Sequence, residues 1–258
     1  SFDGKDIYKI VADEKSVYMV GSGPSLWIID KETNTLKTYL FNSNLKKRCF
    51  YDILLLPNNK MMLCGGNNAI AHAGKKIPIG FIATCDRSNP AESMKIVLKR
   101  KLKFTFTLEA NPNTNEIYAA TFNGIHTSIF CSKDNGINWS KKYRVKGIIH
   151  DLQFDHEGKI WFAGTPGLNY RKNGMFGYIE KDVVHKIITP YGCLWKLCEI
   201  DESLYAASVS GSLLKISKNN LNYTSEKTSM KGALYTMANF SNKSLIICGH
   251  GKSVCIRY

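Results

Sequence analysis

Two carboxylates, Asp52 and Asp151, are the residues whose type and position could do chemistry in this chain of 258 residues. Each follows a ring-bearing side chain inside an apolar stretch, FYDILLL or IHDLQFD. Two such carboxylates can act as general acid and general base on a glycosidic bond. Lys9 and Lys196 stand at the equivalent positions of two similar stretches, so buried ion pairs are the alternative. Catalytic carboxylates would lie unpaired at an open mouth, whereas structural ones would bond to these lysines.

The other chemical motifs of the chain are weak. GSGPS, at 21–25, is glycine-rich but precedes an apolar strand rather than a helix, so it is not a phosphate-binding loop. The six histidines show no metal-ligand spacing, and we therefore predict no metal and no cofactor. His150 and Asp151 are neighbours, and neighbours on a regular strand point to opposite faces.

A repeat organises the whole chain. A short apolar strand that ends in a small residue recurs as VYMVGS, MMLCGG, IYAATF, IWFAGT, LYAASV and LIICGH, at steps of 41 to 56 residues. Another strand precedes each one, turn-forming residues separate the two, and a third and usually a fourth strand follow. Four short strands, six times over, predict an all-β fold, a six-bladed β-propeller with four-stranded antiparallel blades.

Residues 1–258 are expected to form one propeller domain, alone or within a longer native chain. The last blade has predicted strands near 233–239, 244–249 and 253–258 and lacks a fourth. We expect residues from the other end of the domain to supply it, either 1–5 or chain upstream of Ser1.

Three stretches resemble known propellers. SKDNGINW, at 132–139, has the S-x-D-x-G-x-x-W spacing of the Asp-box of sialidases and other propellers. HDLQFDHEGKIWFAGTPGLNY, at 150–170, resembles the repeat of two-component regulator propellers, and 16–39 more weakly resembles pyrroloquinoline-quinone-type blades. These resemblances imply a propeller fold. A sialidase also needs an arginine cluster, and this chain has six arginines and no Arg-Ile-Pro motif.

We therefore interpret the Asp-box as a turn staple between the third and fourth strands of its blade. Asp134 can accept backbone N–H bonds, Gly136 permits a positive φ, and Trp139 can pack under the hairpin.

Composition restricts the partners and the compartment. The net charge of +14 predicts attraction of anions, with a lysine-rich solvated surface as the alternative. Eight cysteines without C-x-x-C spacing lie mostly in apolar strands, which favours reduced thiols and a cytoplasmic location and leaves a secreted or periplasmic one open. The chain contains no apolar run of about 18 residues, so we predict no membrane span.

Alignment of the first strands gives two columns of equivalent residues, which are expected to line the channel. The aromatic column contains Tyr8, Tyr51, Phe106, His150, Trp195 and Tyr235. The polar column contains Lys9, Asp52, Thr107, Asp151, Lys196 and Thr236. The aromatic column either fills the space between blades or forms a girdle beneath a binding mouth. The polar column is either a set of ion pairs or a ligand-contacting set.

A basic rim is predicted at the same end of the blades. Cationic residues precede the first strands or lie in the loops between second and third strands: Lys5, Arg48, Lys103, Lys146, Lys231, His72, Lys75, Lys76, Arg171, Lys172 and His250. A concave basic mouth would focus an anion-attracting field. Lysines that protect strand edges from pairing are the alternative.

The sequence thus favours a non-catalytic binding module or scaffold, monomeric, whose basic face takes an anionic partner. An acidic protein segment is preferred to a phosphorylated ligand. Nucleic acid ranks below protein because the exposed loops lack the interleaved aromatic residues that stack on bases. The alternative is a glycan-active hydrolase or lyase that uses the channel mouth, with Asp52 and Asp151 as acid and base.

Overall fold

The structure is a computed structural model that describes residues 6–41, 45, 48–67, 79–101, 104–200, 202–228, 230, 232–241, 244–249 and 254–257. Within these residues, antiparallel strands form consecutive sheets in chain order. No helix in this part of the chain has the length and apolar character that crossing a membrane requires.

Five of the sheets have four strands each. The first contains β1 (Ile7–Ala12), β2 (Ser16–Gly21), β3 (Ser25–Asp30) and β4 (Leu36–Leu40). The second contains β5 (Arg48–Leu56), β6 (Lys60–Asn67), β7 (Ile79–Asp86) and β8 (Lys95–Lys101), with the short helix α1 (Pro90–Ser93) before its last strand. The third contains β9 (Phe104–Ala110), β10 (Ile117–Phe122), β11 (His126–Ser132) and β12 (Ser140–Lys146).

The fourth sheet contains β13 (Ile148–Phe154), β14 (Ile160–Thr165), β15 (Gly174–Glu180) and β16 (Val183–Thr189). The fifth contains β17 (Leu194–Ile200), β18 (Ser203–Ser208), β19 (Ser212–Ser217) and β20 (Tyr223–Lys227). The last sheet has three described strands, β21 (Leu234–Ser241), β22 (Ser244–Gly249) and β23 (Val254–Arg257).

The predicted count of six four-stranded blades is therefore wrong. The described residues form five four-stranded sheets, because the C-terminal repeat contributes only three strands to its sheet. The three strands predicted for that repeat are present.

Burial explains why the second strand of each repeat is the most apolar. All six residues of β10 and all six of β14 are buried. The fourth strands are more exposed, and β12 is also largely polar. The strand that repeats in the sequence is thus the second strand of each sheet, an inner and largely buried one.

The chain divides into two compact units. The first unit comprises residues 1–124 and 128–142, and the second comprises 125–127 and 143–258. In the first unit, β1 and β2 pack on β5, and β5 and β6 pack on β9. In the second unit, β13 and β14 pack on β17, and β17 and β18 pack on β21. Within each unit, each first strand therefore lies close to the next first strand.

Candidate functional site

A β-bulge interrupts the pairing of the first strand with the second in every sheet described above. In the fourth sheet, the register passes from Ile149↔Gly164 to Asp151↔Ala163 and leaves His150 outside the ladder. In the other sheets, the residue left outside the pairing is also a member of the aromatic column: Tyr8, Tyr51, Phe106, Trp195 or Tyr235. A bulge redirects the side chains around it. The aromatic column is thus a row of bulged residues, and it interrupts the alternation that we expected at His150 and Asp151.

Glycine lies opposite the bulge in four of the six sheets, and the close approach of the first strand explains it there. A Cβ on Gly164 would lie 1.8 Å from the carbonyl oxygen of Ile148, and a Cβ on Gly249 would lie 2.3 Å from that of Ala233. Gly21 and Gly65 meet backbone carbonyl oxygens in the same way. The backbone of the first strand therefore passes too close for any larger residue at these four positions.

In the first unit, three rings of the aromatic column contact one another. The rings of Tyr8 and Tyr51 stack with centroids 5.7 Å apart, and the Tyr51 and Phe106 centroids are 5.2 Å apart. Burial, with smaller contributions from Cys49 and Asp6, raises the pKa of Tyr8 to about 12, so its phenol stays neutral. Phe106 is buried and the two tyrosines are partly exposed.

In the second unit, four rings form a cluster, which we call the ring cluster: His150, Tyr170, Trp195 and Tyr235. The His150 and Trp195 centroids are 4.0 Å apart, and those of Trp195 and Tyr235 are 6.1 Å apart. Tyr170, from the β14–β15 loop, lies 5.8 Å from His150 and nearly parallel to Trp195 at 6.1 Å. Sequence reasoning missed Tyr170, although it had selected the two cations that follow it.

The contact of Tyr170 with the bulged residues supports one further expectation. The β14–β15 loop lies beside the start of the first strands of the second unit, as predicted for loops between second and third strands. Burial lowers the pKa of His150 to about 3, so the imidazole is neutral at pH 7. The ring cluster therefore carries no charge of its own near neutral pH.

The polar column forms one ion pair in the first unit. Lys9 Nζ lies 3.0 Å from Asp52 Oδ1, and the side chain of Asp52 is 4% exposed. The other carboxylate oxygen, Oδ2, accepts a hydrogen bond from the Leu108 N–H at 3.0 Å. Asp52 thus links its own first strand to the two neighbouring first strands of that unit.

The second unit contains an equivalent pair. Lys196 Nζ lies 2.7 Å from Asp151 Oδ1, and Asp151 Oδ2 accepts the Leu197 N–H at 2.8 Å. In both units, the aspartate accepts the N–H of the leucine that follows the polar-column position of the next sheet. Of the two alternatives for the polar column, the structure shows ion pairs of Asp52 with Lys9 and of Asp151 with Lys196. Of the remaining members, Thr107 is buried and Thr236 is exposed.

The basic candidates are placed only in part. Lys146, Arg171 and Lys172 are exposed. Arg48 is partly buried, burial lowers the pKa of its guanidinium, and its Nη1 has no hydrogen-bond partner among the described residues. The other candidates lie outside the described residues: Lys5, Lys103, Lys231, His72, Lys75, Lys76 and His250. A continuous basic rim therefore stays a prediction.

The turn at 132–139 lies between β11 and β12 and is held by its own hydrogen bonds. Asp134 Oδ1 accepts the Asn138 N–H at 2.8 Å, and the Trp139 indole N–H donates to the Gly136 carbonyl at 2.9 Å. Gly136 has a φ of 85°. These contacts are local to the hairpin and account for the spacing without any chemical role. Within the part of the chain that the structure describes, no group of three or more His, Cys, Asp or Glu residues could hold a metal ion.

Comparisons with known proteins agree with this architecture. No protein-family profile and no curated protein matches the chain. Among solved structures, YCF48 bound to a D1 peptide is similar, with a TM-score of 0.67 and 13% sequence identity over 98% of this chain and 78% of that chain. At this identity the likeness concerns the fold alone. The chain has an all-β propeller fold with four-stranded antiparallel blades, similar to that of YCF48.

Proposed function

We propose that this propeller is a non-catalytic binding module that holds an acidic segment of another protein near the start of its first strands. The observation that carries the proposal is the β-bulge at one equivalent position of every sheet, each with a ring-bearing side chain. Bulges are common next to functional sites, where they redirect side chains. Aromatic side chains combine a large apolar surface with little conformational freedom, which suits a binding surface.

Two further observations support a protein partner with negative charge. A propeller of similar fold, YCF48, has been solved with a bound peptide. The net charge of +14 favours anionic partners over cationic ones and speeds their association. The predicted basic rim belongs to this proposal, with Lys146, Arg171 and Lys172 as its exposed, described members. Phosphorylated ligands and nucleic acid remain lower-ranked candidates.

The geometry of the two aspartates disfavours the glycan-active alternative. A general acid or base must reach the substrate and exchange a proton with it. The side chains of Asp52 and Asp151 are 4% and 5% exposed, and each bonds a lysine and a backbone N–H. Both oxygens of each carboxylate are therefore already engaged in holding first strands together.

Selection from a displayed library of random peptides tests the proposal. We expect enrichment of peptides that contain acidic residues and at least one large apolar residue, with binding that weakens as salt rises. In parallel, a panel of chromogenic glycosides should show no turnover. Failure to enrich any peptide at low salt would contradict a peptide-binding role. Glycoside turnover that Asp151→Asn abolishes, without loss of folding, would support the hydrolase instead.

A further inference from the structure

The ring cluster has the geometry of a receptor for one side chain. His150, Trp195 and Tyr235 come from three consecutive first strands, and Tyr170 joins them from a loop. His150 is 7% exposed, Trp195 and Tyr170 are partly exposed, and Tyr235 is 49% exposed. Exposure thus rises from a buried imidazole to an open tyrosine, so the cluster presents apolar ring surface to solvent at one side.

The loop that carries Tyr170 is held in place before any partner arrives. The Tyr170 carbonyl accepts the Cys193 N–H at 2.7 Å, which anchors the loop to the start of the next sheet. Thr165 Oγ1 donates to the carbonyls of Gly167 and Asn173 at 3.1 and 2.9 Å, which fixes both sides of the loop. Groups already ordered in the free protein lose little conformational entropy when a ligand binds.

The charges next to the ring cluster select the kind of ligand. Aromatic rings can receive either an apolar side chain or a cation. Arg171 and Lys172 are exposed and follow Tyr170 directly, so a cationic side chain would be repelled there. Asp151 cannot offset them, because Lys196 already neutralises it at 2.7 Å. Leu168, in the same loop, is 69% exposed.

We propose that the ring cluster receives one large apolar side chain of an acidic protein segment, with Arg171 and Lys172 supplying the charges that attract the flanking carboxylates. This inference rests on the proposed function and names the part of the partner that the second unit recognises. Apolar anchors in aromatic pockets typically dominate peptide affinity, while charges at the edge mainly increase the association rate.

The indole N–H resonances of ¹⁵N-labelled protein provide a site-specific test. The chain has four tryptophans, and Trp195→Phe identifies the resonance of Trp195. Trp161, whose indole N–H donates to Asp155 at 2.9 Å, serves as an internal reporter of folding. The probes are three capped peptides, Ac-GEEFEEG-NH2, Ac-GEEAEEG-NH2 and Ac-GKKFKKG-NH2. We expect only the first to shift the Trp195 resonance saturably, while the Trp161 resonance stays in place.

Substitutions at exposed positions then separate the contribution of the rings to peptide affinity from that of Arg171 and Lys172. Tyr235→Ala should weaken binding of Ac-GEEFEEG-NH2 about fivefold or more, which is the loss typical of an anchor contact. Arg171→Glu with Lys172→Glu should weaken it about tenfold. The matched control, Lys186→Glu with Lys227→Glu, changes the net charge equally at exposed strand positions of the same unit and should change the Kd less than about twofold.

Four results would overturn the inference. The lysine peptide could shift the Trp195 resonance more than the acidic one, which would indicate a cation site. Equal losses from both charge-reversal pairs would indicate only general basicity. Library-selected peptides could bind while the Trp195 resonance stays unmoved, which would refute this site and leave the proposed function standing. Absence of binding by every probe and every library peptide would contradict both.

Discussion

Gly164→Ala should destabilise the protein strongly, although it adds a single methyl group. The new Cβ would lie 1.8 Å from the Ile148 carbonyl oxygen and 3.1 Å from the Ile149 Cα, and these are backbone atoms that no rotamer change can move. A normal contact between carbon and oxygen is about 3.3 Å, so β13 and β14 would separate by roughly 1.5 Å beside the bulge. The paired residues there, Ile149 and Gly164, would lose their ladder geometry.

The size of the effect follows from two contributions. Overpacking of this kind costs about 1–3 kcal/mol, and each weakened backbone hydrogen bond adds about 1 kcal/mol. We therefore expect a loss of about 3 kcal/mol in the free energy of unfolding. At about 2–4 °C per kcal/mol for a chain of this size, the Tm should fall by about 6–12 °C.

The same sheet offers a matched control. A Cβ on Gly167, in the β14–β15 loop, would meet no atom within 4 Å. Gly167→Ala should leave the Tm unchanged or raise it slightly, because alanine restricts the unfolded chain. Thermal unfolding followed by circular dichroism compares both variants with the parent chain. Equal Tm values for Gly164→Ala and Gly167→Ala would contradict the conclusion that the close approach of the first strand requires glycine at position 164.

Four other predictions concern the remaining features. Asp134→Ala should lower the Tm by about 2 °C through lost turn hydrogen bonds and leave peptide affinity unchanged, as thermal unfolding and titration would show. Asp151→Asn should lower the free energy of unfolding by about 2 kcal/mol, as measured by chemical denaturation. The loss is smaller than for a fully buried pair because the Lys196 side chain is 23% exposed. Unchanged stability would contradict the structural role of the pair. Burial lowers the pKa of His150 from 6.5 to about 3, so the free energy of unfolding should fall as the pH drops below about 6.5. The decrease should be at most about 1.4 kcal/mol per pH unit, and His150→Phe should remove this part of the pH dependence. Alkylation without reductant in denaturant should modify eight thiols, because the seven cysteines whose side chains the structure describes are free. Protected pairs would argue against the reducing compartment that we propose.

Much of the fold could be predicted from the sequence because the repeat is strong. Strands such as β10 and β14 are apolar except for Thr121 and Thr165, which is the pattern expected of a strand covered on both faces. The columns from Tyr8 to Tyr235 and from Lys9 to Thr236 were aligned correctly. The two ion pairs followed from complementary charges at equivalent positions. The count of six four-stranded blades was wrong for the described residues, in which the last sheet has three strands. Its fourth strand was expected from 1–5 or from chain upstream of Ser1, and neither belongs to the described residues.

The bulges could not be predicted from periodicity, because an extra residue in one strand changes the register without changing the apolar pattern. The glycine at the end of the second strand was the available signal, since Gly164 tolerates no Cβ beside the first strand. Tyr170 was missed for a different reason. Its place in the ring cluster depends on a loop anchored by the Cys193 N–H, and loop paths depend on tertiary contacts rather than on local sequence.

A crystal structure of the chain with the tightest library-selected peptide would test the central claim most directly. We expect a large apolar side chain of the peptide to contact Trp195 and Tyr235, and a neighbouring carboxylate to lie within hydrogen-bond distance of Arg171 or Lys172. A peptide bound along an outer strand such as β16, or at the 132–139 turn, with the rings of the first strands uncovered, would contradict it.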